Sequence, residues 1–124
     1  MSLALKRAFE AAESDDGHRV LVDRLWPRGV AKADASIDAW PKEVAPSDAL
    51  RKAFHAGELG WGEFRRRYLR ELKAHRETLR PLAERAAREP VTLVFAAKDE
   101  RHNNAVVLAQ YLAMLKPRLV PDSR

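Results

Sequence analysis

The sequence predicts an α/β fold, in which a small, mostly parallel or mixed sheet of three to four strands is flanked by four to five helices in a single domain. Two apolar runs indicate this: residues 20–22 (Val-Leu-Val) and residues 91–97 (Val-Thr-Leu-Val-Phe-Ala-Ala). Each run is typical of a strand that is buried on both faces. Helical sequence separates them, so we expect a right-handed crossover that joins them in one sheet. The length of 124 residues suits one domain over residues 1–124.

The first third of the chain is predicted to consist of extended segments joined by loops. Residues 3–9 form a short first strand and residues 10–17 a turn rich in Glu, Ser, Asp and Gly. A second strand, Val20–Leu25, follows, and the two strands could form a hairpin. A further extended piece, about residues 37–43, is interrupted by Pro41 and is therefore an edge strand or no strand at all.

The middle of the chain is helical. Ser47 can accept a hydrogen bond from an amide of the first turn, so it is predicted to begin a helix that Gly57 and Gly60 end. The next helix is predicted from an apolar stripe at helical spacing, which runs through Trp61, Phe64, Tyr68, Leu69 and Leu72.

Two further helices flank the second apolar run. One covers about residues 77–88, where Pro81 is tolerable only if it lies in the first turn. The strand over residues 91–97 follows, and the last helix is predicted from about Glu100 to Lys116. Residues 118–124 are expected to fray.

Composition and charge restrict the class of protein. The net charge of +5 favours anionic partners such as nucleotides, phosphorylated metabolites or nucleic acid, although a basic surface without such a role is equally compatible with it. No cysteine is present, which excludes disulfides and thiolate chemistry. The chain has no apolar run long enough to cross a membrane and no secretory signal at its start, so we expect a cytoplasmic protein.

Charged loops follow both predicted core strands. Residues 23–28 come after the first of them and residues 98–104 after the second. If the strands are parallel neighbours, their carboxyl ends lie at one edge of the sheet, where open α/β sheets bind ligands. We therefore expect the two loops to face each other across one crevice that accepts a phosphorylated or nucleotide-like anion.

The residues of these loops suggest roles in that crevice. A histidine and two carboxylates are candidates for proton transfer, and arginine, lysine, asparagine and tryptophan side chains are candidates for ligand contact. The catalytic candidates are His102, Asp99 and Asp23, and the ligand-binding candidates are Arg24, Trp26, Arg28, Lys98, Asn103 and Asn104.

Each candidate also has a purely structural alternative. Asp99 is a good N-cap for the last helix, with His102 in its first turn, and one of the two asparagines could cap as well. Arg24 could pair with a carboxylate inside the fold, namely Asp23, Asp99 or Glu100. Trp26 could fill the core beneath its loop instead of stacking on a ligand or docking a partner.

Two other classes of function compete with the crevice. The arginines between Arg65 and Arg70 could follow a nucleic-acid backbone, although such a run opposite an apolar stripe is usually a solvated helix face. Alternatively, the Trp26 loop could serve self-association; the oligomeric state does not follow from the sequence. No dinucleotide, P-loop, serine-hydrolase or zinc-protease motif occurs, and no cofactor is implied. The histidines are scattered, so a metal is not expected, apart from a weak site that Asp15, Asp16 and His18 could form.

Two motifs resemble those of the small bacterial YeaO-like family. They are Arg19-Val20-Leu21-Val22-Asp23-Arg24-Leu25-Trp26-Pro27-Arg28-Gly29 and the segment from Ala96 to Leu108, with the central sequence Lys98-Asp99-Glu100-Arg101-His102-Asn103-Asn104. The resemblance covers nearly the whole chain and implies a compact α/β fold in a bacterial cytoplasm, with no established activity. What looks like a wider branch of the superfamily carries a cysteine near His102, but this chain has none, so that chemistry is not implied here.

Overall fold

The computed structural model describes residues 2–115, which form a three-stranded parallel sheet with helices. The strands are β1 (Leu3–Arg7), β2 (His18–Leu21) and β3 (Val91–Phe95). Their order in the sheet is β1-β3-β2, so the last strand in the chain lies in the centre. Every residue of β3 is buried, which explains its unbroken apolar sequence. The predicted α/β class is confirmed.

Both edge strands pair with β3 in parallel. Leu3 is in register with Val91 on one side of β3, and His18 is in register with Val91 on the other. The predicted hairpin between the first two strands is therefore wrong, since β3 separates them. The long connection over residues 8–17 carries the chain back to the start of β2, through a 3-10 turn at Ser14–Asp16.

Five α-helices accompany the sheet in the described residues: α1 (Lys32–Ala35), α2 (Asp48–His55), α3 (Trp61–Ala74), α4 (Arg76–Arg88) and α5 (Asn104–Met114). Ser47 caps α2, as predicted, by accepting a hydrogen bond from the amide of Leu50. The apolar stripe of α3 also faces the core, where Phe64, Tyr68 and Leu72 are buried.

Two apolar clusters lie on opposite faces of the sheet. The larger one unites α2, α3, α4 and α5 with strand residues such as Val20 and Leu93. The smaller one joins Leu21 and Val94 to Trp26 and Trp40 of the loop after β2. Helices α2 to α5 therefore cover one face, whereas the loop after β2, which includes the short helix α1, covers the other.

Some predicted boundaries require correction. The helix α4 begins at Arg76, so Pro81 lies in its second turn and not in the first; the helix nevertheless continues, because its face with Leu79 and Ala83 is fully buried against the core. The segment over residues 37–43 forms no strand and makes one isolated bridge, from Ala39 to Val20. The predicted helix end at Lys116 and the expected fraying of residues 118–124 lie outside the described residues.

None of the helices within residues 2–115 combines the length and the apolar character that crossing a membrane requires.

Candidate functional site

A cavity of about 460 Å³ opens at the edge of the sheet where β2 and β3 end and α5 begins. Both predicted loops line it, although residues such as Arg24 and Lys98 are about seventy-five positions apart in the sequence. The structure brings together eight of the nine predicted site residues in its walls: Asp23, Arg24, Trp26, Arg28, Lys98, His102, Asn103 and Asn104. Asp99 is the exception.

Asp23 joins the three elements that meet at the cavity. Its Oδ2 accepts a hydrogen bond from the amide of Ala96, just after β3, at 3.0 Å, and its Oδ1 accepts one from Asn104 Nδ2, at the start of α5, at 3.0 Å. The same amide group of Asn104 donates to the carbonyl of Val22 at 2.9 Å. Asp23 and Asn104 therefore hold the ends of β2 and β3 against the first residue of α5.

Burial affects the acidity of Asp23. Desolvation raises the pKa of this carboxyl group above its usual range, while the bonds from Asn104 and Ala96 and the charges of His55 and Arg51 oppose the rise. Burial therefore disfavours the ionised form of Asp23, and the neighbouring hydrogen-bond donors and positive charges stabilise that form.

The start of α5 differs from the prediction. Asn103 is the N-cap, with its Oδ1 accepting from the amide of Val106 at 3.0 Å, so the expectation that Asp99 caps this helix is wrong. Asp99 instead stabilises the turn before the helix, where its Oδ1 accepts from the amides of Arg101 and His102. Asp99 and Asn103 can both accept hydrogen bonds from backbone amides that follow them. Here Asp99 does so in the turn before α5, and Asn103 does so in the first turn of α5.

His102 therefore precedes the helix and does not lie in its first turn. It is exposed at the mouth of the cavity, and its Nδ1 lies 3.0 Å from Oδ2 of Asp99. The ring also packs against Trp61, with 5.0 Å between centroids. The amide of Arg101, together with the ring and amide of His102, lowers the pKa of Asp99. This pairing can fix the orientation of the imidazole.

The two arginines of the loop after β2 differ in their hydrogen bonding and exposure. Arg24 donates through Nε to the carbonyl of Pro46 at 3.0 Å and through Nη2 to that of Ala45 at 3.3 Å, so it does not pair with Asp23, Asp99 or Glu100 as one alternative held. Arg28, by contrast, is exposed at the cavity.

Lys98 is exposed in the opposite loop. Within residues 2–115, neither Lys98 nor Arg28 has a hydrogen bond or ion pair to its side chain. Two cations that the fold does not neutralise therefore face the same opening.

A third wall comes from α2 and was not predicted. Arg51, Phe54 and His55 line the cavity from this helix, and Phe64 of α3 lines it beside them. The Phe54 and Phe64 rings stack with 4.2 Å between centroids and 17° between planes. Arg51 and His55 are four positions apart, hence on one helix face, which is the sequence signal that could have identified this wall.

Trp26 contributes to packing as well as to the cavity. Its Nε1 donates to the carbonyl of Val30 at 2.7 Å, and its ring meets Trp40 edge to face, with 5.5 Å between centroids. Gly29, with a φ of 83°, allows the loop to turn back for this contact. The alternative that Trp26 fills the core beneath its loop is therefore met, while its remaining surface lines the cavity.

The rival sites look different. Arg66 and Arg67 both pair with Glu63 on α3, and Arg65 donates to Gln110 at 2.7 Å, so these arginines are largely engaged. Of the two acidic residues near His18, Asp16 is engaged in an ion pair with Arg19 at 2.6 Å. Among the described residues no group of three or more His, Cys, Asp or Glu side chains could hold a metal ion.

Taken together, these features define a small parallel α/β protein with a cavity at the carboxyl edge of its sheet, lined by cationic and aromatic side chains. The chain belongs to the family described as "Inactive DUF488-N3 subclade", whose model DUF488-N3i matches residues 2–118. The resemblance to YeaO-like proteins is thereby confirmed.

Two relatives illustrate the extent of the similarity. The chain is 46% identical over 115 residues to the uncharacterized protein YeaO of Escherichia coli K12, which covers 93% of this chain and 100% of that protein. It is 43% identical over 108 residues to the uncharacterized protein Rv3073c of Mycobacterium tuberculosis H37Rv, which covers 86% of this chain and 89% of that protein. No solved structure matches the chain significantly.

Proposed function

We propose that the protein binds a small phosphorylated or nucleotide-like anion in the cavity between the loops after β2 and β3. The observation that carries this proposal is the charge of the lining. Four cationic side chains, those of Arg24, Arg28, Arg51 and Lys98, line the cavity with one carboxylate, that of Asp23. Apolar walls beside such a cluster reduce screening by water and strengthen its attraction for an anion.

Arg28 and Lys98 are the best candidates for direct contact with the anion. Both are exposed at the cavity and neither is neutralised by a neighbour in the described part of the chain. An arginine can hold a phosphate through two parallel hydrogen bonds, and a lysine adds a point charge. The volume of about 460 Å³ is within the range of small-molecule sites, roughly 300–1,000 Å³.

Acid–base catalysis by His102 is a second candidate function. The contact of 3.0 Å between its Nδ1 and Asp99 favours it, because such a carboxylate orients the imidazole for proton transfer at the other nitrogen. Asp23, with its raised pKa, would be the second proton-transfer group. The description of the family as inactive favours binding without turnover.

Nucleic-acid binding by α3 and self-association through the Trp26 loop remain rival proposals. The ion pairs of Arg66 and Arg67 with Glu63 leave that helix face less charge for a phosphate backbone. The indole of Trp26 is half-buried against Trp40, which limits the surface it offers to a second copy.

Isothermal titration calorimetry tests the proposal. The probes are inorganic phosphate, ribose 5-phosphate and the common nucleoside monophosphates, titrated into the wild type and into a Lys98→Ala variant. We expect Lys98→Ala to weaken binding by about tenfold or more, because a charge-assisted hydrogen bond contributes roughly 1.5–3 kcal/mol.

Arg66→Ala is the matched control, since it also removes one exposed cation, but on α3 away from the cavity. It should leave binding within about twofold of the wild type. The proposal is contradicted if no probe binds, or if Arg66→Ala weakens binding and Lys98→Ala does not. Hydrolysis or isomerisation of a probe, lost in His102→Ala, would favour catalysis instead.

A further inference from the structure

The cavity has two chemically different ends. The exposed side chains at its mouth are two cations, Arg28 and Lys98, and two imidazoles, His55 and His102. Its inner lining includes the buried Phe64 and the half-buried Phe54, whose rings stack on each other. A ligand that satisfies both ends carries a flat apolar ring at one end and an anionic group at the other.

The inner end also offers polar atoms, and those of the loop residues are hydrogen-bond acceptors. Each oxygen of the Asp23 carboxylate accepts one bond from the protein, which leaves capacity for a second. Asn104 directs its amide nitrogen at Val22 and Asp23, so only its Oδ1 is left to interact with a ligand. Asn103 has both of its polar side-chain atoms engaged.

One donor complements these acceptors. Nε of Arg51 is buried and has no hydrogen-bond partner among the described residues, and the charge of Arg51 acts on Asp23. The cavity lining thus includes the guanidinium of Arg51, a donor group, together with the two carboxylate acceptors of Asp23.

Resting on the proposed function, we propose that the ligand is a guanine nucleotide, bound with its base inward on Asp23 and its phosphate at Arg28 and Lys98. Guanine presents two neighbouring donors, N1–H and the N2 amine, with the acceptor O6 beside them. Adenine and cytosine each place a ring-nitrogen acceptor next to their amine, and uracil flanks its N3–H with two carbonyls. A carboxylate would repel each of those acceptors, so Asp23 selects for the guanine edge.

Calorimetry with a graded set of ligands tests this inference on the folded wild-type chain. GMP should bind about tenfold or more tightly than IMP, which lacks the N2 amine, and more tightly than AMP or ribose 5-phosphate. Asp23→Asn should abolish the preference of GMP over IMP. Asp15→Asn makes the same change in a turn before β2, at the opposite end of the strand, and should retain the preference.

The outcomes separate the two proposals. Binding of ribose 5-phosphate as tight as that of GMP, or equal binding of GMP and AMP, would overturn base recognition and leave the anion site intact. Failure of every phosphate probe would overturn the proposed function as well. Should Asp23→Asn not fold, as circular dichroism would reveal, the comparison of GMP with IMP on the wild type still decides the inference.

Discussion

The substitution Asn104→Ala measures how strongly the two strand ends and α5 are held together. It removes the bond to the carbonyl of Val22, a residue with no exposed surface, and the bond to the Asp23 carboxylate. A neutral hydrogen bond contributes about 0.5–1.5 kcal/mol and one to a charged group about 1.5–3 kcal/mol. Because Asn104 is half-buried, we expect the lower part of the summed range, about 2–3 kcal/mol.

Urea denaturation followed by circular dichroism measures this loss. In a thermal unfolding experiment on a chain of this size, the same loss of about 2–3 kcal/mol corresponds to a fall in melting temperature of roughly 8–12 °C. Gln110→Ala is the control on the same helix. It removes an exposed bond from Arg65 and should change the free energy of unfolding by less than about 0.5 kcal/mol.

The cost of Asn104→Ala should also depend on pH. The folded-state pKa of Asp23 is raised, so its ionised form weakens the fold at neutral pH, and this penalty fades as pH falls through that pKa. The hydrogen bond from Asn104 reduces the destabilisation caused by the ionised Asp23, so the Asn104→Ala substitution makes that destabilisation larger. The stability gap between wild type and variant should therefore narrow on acidification. A gap below about 1 kcal/mol at pH 7, or one that is constant with pH, would refute the reasoning.

Two other predictions concern the rest of the fold. Gly17→Ala should lower the free energy of unfolding in urea by more than about 2 kcal/mol, because Gly17 has a φ of 65° and a Cβ there would lie 2.2 Å from the carbonyl oxygen of Pro90. Gly57→Ala is the control: Gly57 has a φ of 77°, but a Cβ there would meet nothing within 4 Å, so the loss of stability should be clearly smaller, and equal losses would contradict the steric argument. A titration followed by carboxyl-carbon NMR should give Glu63 a pKa of about 2, and Arg67→Gln should raise that pKa, whereas an ordinary value in the wild type would show that these ion pairs do not persist in solution.

The sheet could be predicted from the sequence only in part. The run Val91–Phe95 is apolar because both faces of β3 are covered, and that signal survives in the sequence alone. The order β1-β3-β2 is not encoded in any local pattern, because it depends on which distant segments pair. From the sequence alone, residues 3–9 and 20–25 are compatible with a hairpin. The structure excludes a hairpin because β3 lies between these two strands in the sheet.

The candidate site was predictable where it follows directly from strand ends. Asp23 and Lys98 come soon after buried strands, so their common edge could be inferred from parallel pairing. The spacing of Arg51 and His55 places both on one face of α2, but the sequence does not predict that this face packs beside the two loops, because that depends on tertiary packing. The sequence leaves the cap of α5 open between Asp99 and one of the two asparagines, because both residue types cap helices equally well, and the structure uses Asn103.

The central position of β3 has a consequence for the order of events during synthesis. Neither edge strand can gain a partner until Val91–Phe95 has left the ribosome, so the nascent chain must remain without a sheet while most of it is made. Pairings between residues so far apart in sequence slow folding. We therefore expect the first ninety residues alone to form at most helical, loosely collapsed states that aggregate or engage chaperones.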